Sequence, residues 1–343
     1  MKKRKITALI LCVLVLFGGC SASDTTDVKS PFAPDEANRL TIYTSHKEEV
    51  YKPIIKEFEE RTGIWVEVIS GGTNELLQRI DEEQSAPNAD VMFGGGVENL
   101  EAYRHCFAPY SCAHTDKIDP VFCSEDGIWT PFSALPVVLI YNTKLVSPEQ
   151  LTRWSDLFSP EFRGKIAFCD PSISGSSFTG LVTMLYSLGE NNDETLLKFA
   201  DILDGRQLES SGSVLASVSD GTDFIGITLE ETALKYIAAG SDIQMVYPKD
   251  GTSFVPDGSA IIKNCAHMNN ARLFLDFTAS REVQSLLTNS LYRRSVRTDI
   301  EPLPALLPLE NIPMTKYDVS WASENRDSVL MTWAFFLGGG EEQ

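Results

Sequence analysis

The sequence contains few histidines and lacks the short motifs that mark several large enzyme classes. Only four histidines occur among 343 residues, and no HExxH, GxSxG, GxGxxG or GxxxxGK[ST] pattern is present. These absences exclude a zincin protease, a nucleophile elbow, a dinucleotide fingerprint and a P-loop. With so few histidines, the chain also offers few side chains that could hold the metal ion of a phosphatase or metallohydrolase. We therefore expect a protein that is not an enzyme and that carries no cofactor.

Positive charge is also scarce. The chain has 29 Lys and Arg against 48 Asp and Glu, which gives a formal net charge of −19. So acidic a surface excludes nucleic acid as a partner and disfavours direct contact with anionic membrane surfaces. An anionic ligand would need a local site of helix ends and backbone N–H groups, because the overall field repels it.

The first twenty residues predict an export signal and not a part of the fold. A basic segment at 2–5 precedes an apolar segment at 6–17 that is too short to span a bilayer comfortably. Small residues then lead to Cys20, as in bacterial lipoprotein signals, although Phe stands where a Leu is usual three residues before the cysteine. We expect Cys20 to be lipidated, with 21–38 as a flexible tether. A plain signal peptide or an uncleaved anchor is the alternative, and each places the mature protein outside the cytoplasmic membrane.

The chain has seven cysteines, of which five remain after the signal and Cys20 are set aside. These five are Cys106, Cys112, Cys123, Cys169 and Cys265. An odd number leaves at least one thiol free or paired between molecules. A disulfide between two of the first three is compatible with export, but the pairing stays open. Zinc held with His105 and His114 is the alternative, and no CxxC spacing supports it.

Alternating strand and helix patterns begin near Arg39 and predict a mostly parallel α/β sheet. The predicted strands are Leu40–Tyr43, Ile64–Val68 and Ala89–Phe93. The strands end in three small polar or glycine-rich turns, each of which opens a helix: Thr44–His46, Ser70–Thr73 and Gly94–Gly96. Ligands bind where the carboxyl ends of such strands converge. We therefore expect a ligand site at these turns.

A second α/β segment follows, entered and left through two long extended runs. The runs are Ser133–Asn142 and Phe254–Ile262, and they predict a hinge of two strands. Helices are predicted near Pro148–Phe158, Asp193–Leu203, Asn270–Ser280 and Glu282–Thr288, with a serine-rich loop at Glu209–Ser213. The predicted domains are lobe 1 at 39–133 plus 259–343, and lobe 2 at 134–258.

The stretch Lys165–Gly180 predicts an anion-binding turn. A short apolar strand is broken by Asp170-Pro171, and a loop rich in serine then leads into helical spacing from Phe178. The first N–H groups of a helix have no intrahelical acceptor and point with the positive dipole end at one place, which suits phosphate. An ordinary serine N-cap is the alternative interpretation.

Six blocks of the sequence resemble a known family, in the family's own order. They are TIYTSHKEEVYKPIIKEFEERTGI, ADVMFGGGVENLEAY, LIYNTKL, FRGKIAFCDPSISGSSFTGL, FIGITLEET and YRRSVRTDI. The chain resembles a type 2 periplasmic solute-binding protein of an ABC importer, in the ferric-ion-binding branch and near its hexose-phosphate-binding relatives. The resemblance implies two α/β lobes joined by two crossing strands, a monomer, a ligand in the cleft, and permease subunits as partners.

The resemblance also implies which iron ligands are missing. His46 matches the family's histidine, but the carboxylate position falls in Gly94–Gly96 and the tyrosine pair falls on Glu230-Glu231. The anion-binding turn matches Ser174–Ser177. Carboxylates that face a pocket accept hydrogen bonds from sugar hydroxyls. The implied ligand is a small phosphorylated solute, a sugar phosphate above all, with an organophosphonate or ferric iron as alternatives.

The candidate ligand-binding residues follow from the turns and from the resemblance. They are Ser45, His46, Thr73, Gly95, Gly96, Ser133, Ser174, Gly175, Ser176, Ser177, Ser213, Glu230 and Asp257. Glu230 is preferred only weakly to Glu231. For Arg293, Arg294 and Arg297, structural ion pairs are favoured over contact with phosphate.

Overall fold

A computed structural model describes residues 34–189, 192–304 and 306–338. The predicted signal peptide, the lipidation site Cys20 and most of the predicted tether lie outside the described residues. The end of that tether, Glu36–Asn38, forms a 3-10 turn in the structure. No helix within the described ranges has both the length and the apolar character needed to cross a membrane.

The described elements alternate along the chain. The strands are β1 Arg39–Thr44, β2 Trp65–Ser70, β3 Val91–Gly96, β4 Phe107–Ala108, β5 Thr130–Ala134, β6 Val137–Asn142, β7 Ile166–Ala167, β8 Ile225–Leu229, β9 Ile243–Val246 and β10 Pro256–Ile262. The helices are α1 Glu48–Thr62, α2 Thr73–Glu82, α3 Val97–Ala102, α4 Gly175–Leu188, α5 Asn192–Leu203, α6 Ser211–Ser219, α7 Glu230–Ala238, α8 Met268–Thr278, α9 Arg281–Leu291, α10 Val319–Glu324 and α11 Arg326–Leu337.

The first sheet has the order β2-β1-β3-β10-β4, with β5 also paired to β10. β1 runs parallel to β2 and β3, whereas β10 runs antiparallel to β3, β4 and β5. Helix α1 covers this sheet with Val50, Ile54 and Phe58, which are all buried, and ends at Gly63 with a left-handed φ of 71°. The expectation of a mostly parallel sheet holds for β1–β3 and is wrong for the strands around β10.

The second sheet has the order β7-β8-β6-β9, and residues of its strands pack with helices in a separate apolar core. β6 is antiparallel to β8 and β9, while β7 is parallel to β8. Phe168 and Phe199 in this core have ring centroids 5.1 Å apart. Two mixed α/β lobes therefore exist, as the sequence predicts.

Both extended runs are interrupted. The first contains β5 and β6, which are separated at Leu135-Pro136, and the second becomes a strand only at Pro256. β5 pairs with β10 in the first sheet, and β6 belongs to the second. The chain thus crosses between lobes at Leu135-Pro136 and again before β10.

The prediction of a helix at Pro148–Phe158 is wrong for most of that range. Only Trp154–Phe158 is helical, and it forms a 3-10 helix. The Asp156 carboxylate accepts from the backbone N–H of Thr152 at 2.7 Å and of Arg153 at 3.0 Å. Side-chain acceptors of this kind compete with helical hydrogen bonding. The serine-rich loop also ends earlier than expected, since α6 begins at Ser211.

The C-terminal segment does not stay with the first lobe. Trp333 on α11 lies in the second core, 5.9 Å from the ring of Phe168 and 5.5 Å from that of Phe199. The predicted assignment of 259–343 to lobe 1 therefore does not describe the contacts of α11. The other lobe boundaries stay a prediction.

All five cysteines of the described part are free thiols, so the disulfide that the sequence permits is not formed.

Candidate functional site

A cleft with a volume of about 430 Å³ lies between residues of the two lobes. The N-cap residues of five of the helices line it: Lys47 of α1, Gly72 of α2, Ser174 of α4, Ser210 of α6 and Leu229 of α7. Each of these helices has at least nine residues and directs the positive end of its dipole at the cleft, and the first turn of α7 also carries Glu230 and Glu231. The cleft is therefore suited to a negatively charged ligand.

The first turn of α4 lies in the stretch predicted as an anion-binding turn, and it contains the serine N-cap of the alternative interpretation. Ser174 is the N-cap, and its Oγ accepts from the backbone N–H of Ser177 at 3.3 Å and lies 3.1 Å from the Ser176 Oγ. A Cβ at Gly175 would lie 3.2 Å from Thr73 Oγ1, so the two lobes approach closely here. The helix begins at Gly175, three residues before the predicted Phe178.

Two glycines of the predicted Gly94–Gly96 turn have left-handed backbones, with φ of 100° at Gly94 and 103° at Gly95. A Cβ at Gly94 would lie 2.8 Å from His46 Nε2, and one at Gly95 would lie 2.8 Å from Thr73 Cγ2. Glycine is needed here because both the conformation and the space exclude a side chain. In the structure Gly94–Gly96 are the end of β3 and not a turn after it, and these glycines allow β3 to lie close to His46 and Thr73.

The floor of the cleft is a buried polar network around Asp257. Its carboxylate accepts from the backbone N–H and the hydroxyl of Ser133 at 2.8 and 2.7 Å, and from Arg293 Nη1 at 2.6 Å. His46 Nε2 lies 3.6 Å from Asp257 Oδ2 and has no hydrogen-bond partner among the described residues. Burial, together with the charges of Arg293 and Lys235, lowers the pKa of His46 well below its usual value, so the imidazole is neutral.

The two glutamates at the start of α7 have different surroundings. Glu230 is buried and accepts from Arg294 Nε and Nη2, both at 2.7 Å, and it does not line the cleft. Glu231 lines the cleft, 2.9 Å from Lys235 Nζ and 3.4 Å from Arg293 Nη2. Burial opposes ionisation of Glu231, but Arg293 and Lys235 hold its pKa below the usual value. Of these two glutamates, the one that faces the ligand space is therefore Glu231, although the sequence weakly favoured Glu230.

An ion pair connects the lobes near this place. Lys235 Nζ on α7 also lies 3.0 Å from Glu49 Oε1 on α1, and the Glu49 side chain is 54% exposed. Asn74 on α2 makes a second connection, because its side-chain amide donates to the carbonyl of Ser172 at 2.6 Å.

The structure brings most of the candidate residues together. Those that line the cleft are Ser45, His46, Thr73, Gly95, Gly96, Ser174, Gly175, Ser176 and Asp257. Those that do not line it are Ser133, Ser177, Ser213 and Glu230, which lie behind it or one residue away. Ser133 supports Asp257, Ser177 donates to its N-cap, and the Ser213 N–H donates to the Ser210 carbonyl at 3.0 Å.

Sequence reasoning missed several lining residues, both charged and uncharged. They are Lys47, Gly72, Glu209, Ser210, Ser211, Gly212, Thr232, Lys235 and Arg293. Lys47 is adjacent to His46, and Ser210–Gly212 precede the favoured Ser213, so the turns themselves were recognisable. For Arg293 the sequence favoured a structural ion pair over contact with phosphate, and in the structure it both pairs with Asp257 and lines the cleft.

Potential metal ligands converge elsewhere in the described residues. Oxygen, nitrogen and sulfur atoms of Asp81, His105 and Cys106 lie within 4.8 Å of one another, and none of the three lines the cleft. This set shares His105 and Cys106 with the zinc alternative considered from the sequence, whereas His114, Cys112 and Cys123 take no part in it. A second cavity of about 420 Å³ lies among residues 109–131, away from all candidate ligand residues.

Comparisons with known proteins agree with this architecture. A family model described as "Bacterial extracellular solute-binding protein" matches residues 87–313. The Fe(3+)-binding periplasmic protein of Serratia marcescens is 27% identical over 87% of this chain and 90% of its own. A putative 2-aminoethylphosphonate-binding periplasmic protein of Salmonella typhimurium is 19% identical over 74% of this chain and 75% of its own.

One solved structure is similar over nearly the whole fold. The periplasmic binding protein AfuA from Actinobacillus pleuropneumoniae, with exogenous fructose-6-phosphate bound, superposes with a TM-score of 0.81. It is 23% identical in sequence and covers 88% of this chain and 98% of its own. This likeness confirms the two-lobed type 2 binding-protein fold.

Proposed function

The chain belongs to the bacterial extracellular solute-binding protein family, which serves ABC importers, and from this premise we propose that it captures a sugar phosphate in the cleft. The convergence of five helix N-caps carries the proposal. In a chain with a net charge of −19, the first turns of α4 and α6, which contain no acid, supply the local positive potential that a phosphate needs. Lys47, Lys235 and Arg293 add side-chain cations along the same walls.

The other end of the ligand would contact the polar floor. Glu231 offers carboxylate oxygens, and the neutral His46 offers a ring nitrogen that is buried without a hydrogen-bond partner in the described structure. Hydroxyl groups can donate to the former and pair with the latter. A buried polar atom of this kind is costly unless a ligand or water satisfies it, which supports a polar ligand body. The fructose-6-phosphate bound to AfuA combines a phosphate with such a hydroxyl-bearing body.

An organophosphonate is the second candidate, and Glu231 is the observation that favours it. A carboxylate beside an anion site would also pair with the amino group of a compound such as 2-aminoethylphosphonate, the ligand in the name of the Salmonella relative. Ferric iron is less well supported, because no tyrosine is among the described residues that line the cleft.

A thermal-shift series tests the proposal. Fructose 6-phosphate, 2-aminoethylphosphonate, inorganic phosphate and ferric iron are each added to the purified mature protein. A ligand at one hundred times its Kd raises the free energy of unfolding by about 2.7 kcal/mol, which shifts Tm measurably. We expect the sugar phosphate to give the largest shift. Stabilisation by ferric iron alone would contradict the proposal, and a larger shift with the phosphonate would favour the second candidate.

We also propose that the protein is anchored to the outer face of the cytoplasmic membrane through lipid on Cys20. The support is the basic, apolar and small-residue pattern of the first twenty residues. A Cys20→Ser variant should move from the membrane fraction to the soluble extracytoplasmic fraction. Retention of that variant in the membrane would favour an uncleaved apolar anchor.

A further inference from the structure

A fully buried glutamate, Glu98 on α3, lies directly behind the first turn of α4. Its Oε1 is hydrogen-bonded to the hydroxyl of Thr179 on α4, and Thr179 itself lines the cleft. The side-chain amide of Asn99 donates to the same Oε1 at 3.3 Å. Glu98 therefore connects the first lobe to the helix end that the proposed function assigns to phosphate.

The hydroxyl of Thr179 has more acceptors than protons. Its Oγ1 contacts both Glu98 Oε1 and, at 3.0 Å, the carbonyl oxygen of Gly175. A hydroxyl has one proton and cannot donate to both oxygens at once. If the Glu98 carboxyl is neutral, its O–H donates to Thr179 Oγ1, and the Thr179 proton is free to bond the Gly175 carbonyl. A charged Glu98 would take the proton and break the second bond.

No ion pair compensates a negative charge on Glu98 within the described structure. Arg326 at the start of α11 directs its Nε to Asn99 Oδ1 at 3.3 Å, and its Nη1 to Asp327 at 3.1 Å. Among the described residues, Glu98 Oε2 makes no hydrogen bond of ordinary geometry, and the neutral Tyr317 hydroxyl is the polar group that lies near the carboxyl. Burial raises the pKa of Glu98 to about 7, and the hydroxyl of Thr179, a backbone N–H, the charge of Arg326 and the hydroxyl of Tyr317 oppose this in part.

Other charged groups on the elements packed against α3 are engaged elsewhere or carry negative charge, and Arg79 on α2 pairs with Glu83 at 2.7 Å. Asp257 on β10 is bonded to Ser133 and Arg293, while α10 carries the exposed Glu324 and begins after Asp318. α4 carries no charged residue at all. These groups give Glu98 no cationic partner, which favours its neutral form.

We propose that Glu98 is a positioning residue of the anion site, which bears a proton in the liganded protein and holds the first turn of α4 in place through Thr179. The inference rests on the proposed function. Loss of the proton would break the chain of hydrogen bonds and place a negative charge behind the bound anion. Affinity for a phosphorylated ligand should therefore fall, relative to a protein that cannot lose this proton, as the pH rises through neutrality.

Calorimetric titration with fructose 6-phosphate between about pH 6 and pH 8 tests this in the wild type and in Glu98→Gln. Gln imitates the neutral acid, since its amide can donate to Thr179. The ligand's own titration cancels in the ratio of the two Kd values. We expect the wild-type Kd to rise roughly three- to tenfold relative to that of Glu98→Gln across this range. Glu324→Gln removes an exposed charge from α10 and should show no such trend.

The outcomes separate the two proposals. Binding with a ratio that does not change with pH overturns the inference and leaves the proposed function standing. Failure of all four thermal-shift ligands to bind overturns both. If Glu98→Gln does not fold, infrared spectroscopy of the wild type replaces it: a buried neutral carboxyl band should be present below neutral pH and vanish above it, and its absence throughout overturns the inference.

Discussion

Helices α4 and α7 both begin at the wall of the cleft, but the chemistry of their first turns is opposite. The first turn of α4 contains glycine and serine and no acid, whereas that of α7 begins with Glu230 and Glu231. A carboxylate near a helix N-terminus already satisfies the dipole. The start of α4 is therefore open to an anion from outside, and the start of α7 presents an acceptor for hydroxyl or amino groups.

Within α7 the two acids have separate tasks. Arg294 neutralises Glu230 away from the cleft, and this pair supports the position of the helix. Glu231 shares Arg293 and Lys235 with the cleft and is the acid within reach of a ligand. The polarity of the proposed ligand, with phosphate towards α4 and hydroxyls towards α7, follows from this difference.

The largest expected effect concerns the buried pair. Glu230→Gln leaves the Arg294 guanidinium buried with a weakened partner, so the free energy of unfolding should fall by about 3–5 kcal/mol in urea denaturation. Glu57→Gln, which breaks an exposed pair with Arg61, is the matched control and should cost less than about 1 kcal/mol. Equal losses in the two variants would show that Glu230 has no structural role.

A negative charge introduced at α4 should abolish the distinction between the helices. Ser176→Glu places a carboxylate at the N-terminus, where it stabilises the helix but repels an incoming phosphate. We expect the Kd for fructose 6-phosphate to rise by about a hundredfold, measured by calorimetry. Ser172→Glu adds the same charge at an exposed position of the same loop and should leave the Kd within about threefold. Unchanged binding in Ser176→Glu would remove α4 as the phosphate site.

Substitution of Glu231 should affect only one part of the ligand. Glu231→Gln keeps the shape of the side chain but weakens its acceptance from hydroxyls, so the affinity for fructose 6-phosphate should fall about tenfold. Inorganic phosphate has no hydroxyl-bearing body and serves as the control ligand, with an affinity that does not fall. A parallel loss for both ligands would mean that Glu231 acts on the anion end through Arg293 or Lys235.

The smallest effect is expected from the cap itself. Ser174→Ala removes the acceptor for the Ser177 N–H and should cost about 1 kcal/mol of stability. Ser280→Ala removes the corresponding N-cap of α9, outside the cleft, and should cost a similar amount. Only Ser174→Ala should also weaken phosphate binding, by about twofold to threefold. If both variants weakened phosphate binding equally, the loss would reflect reduced overall stability and not a role of Ser174 in the anion site.

Local sequence patterns were sufficient to predict the turns but not the direction of individual side chains. The strand, serine loop and helix around Ser174 follow from composition and spacing, and so do the glycine turns at Gly94 and Gly95. Neighbouring residues of a helix point about 100° apart, so whether Glu230 or Glu231 faces a cleft depends on how α7 sits on the sheet. That placement is a tertiary property, fixed in part by Arg294, which lies 64 residues away in the chain.

Long-range packing explains the other differences. Trp333 and Val329 on α11 belong to the second core although α8 and α9, the helices before them in sequence, pack in the first, and no periodicity in α11 indicates which core it joins. The sequence did not indicate that Glu98 is buried, because a single acid at a helix start is usually solvated. Its burial depends on α4, which comes from a segment about eighty residues later.

The ion pair between Glu49 and Lys235 has a consequence for the timing of transport. It joins α1 to α7 at a partly exposed position, so added salt screens it, while the buried contacts with Glu231 and Asp257 are screened much less. When the lobes separate to release a ligand, this pair must break. The residence time of the ligand should therefore shorten as ionic strength rises, which makes the rate of release sensitive to the salinity of the medium outside the cell.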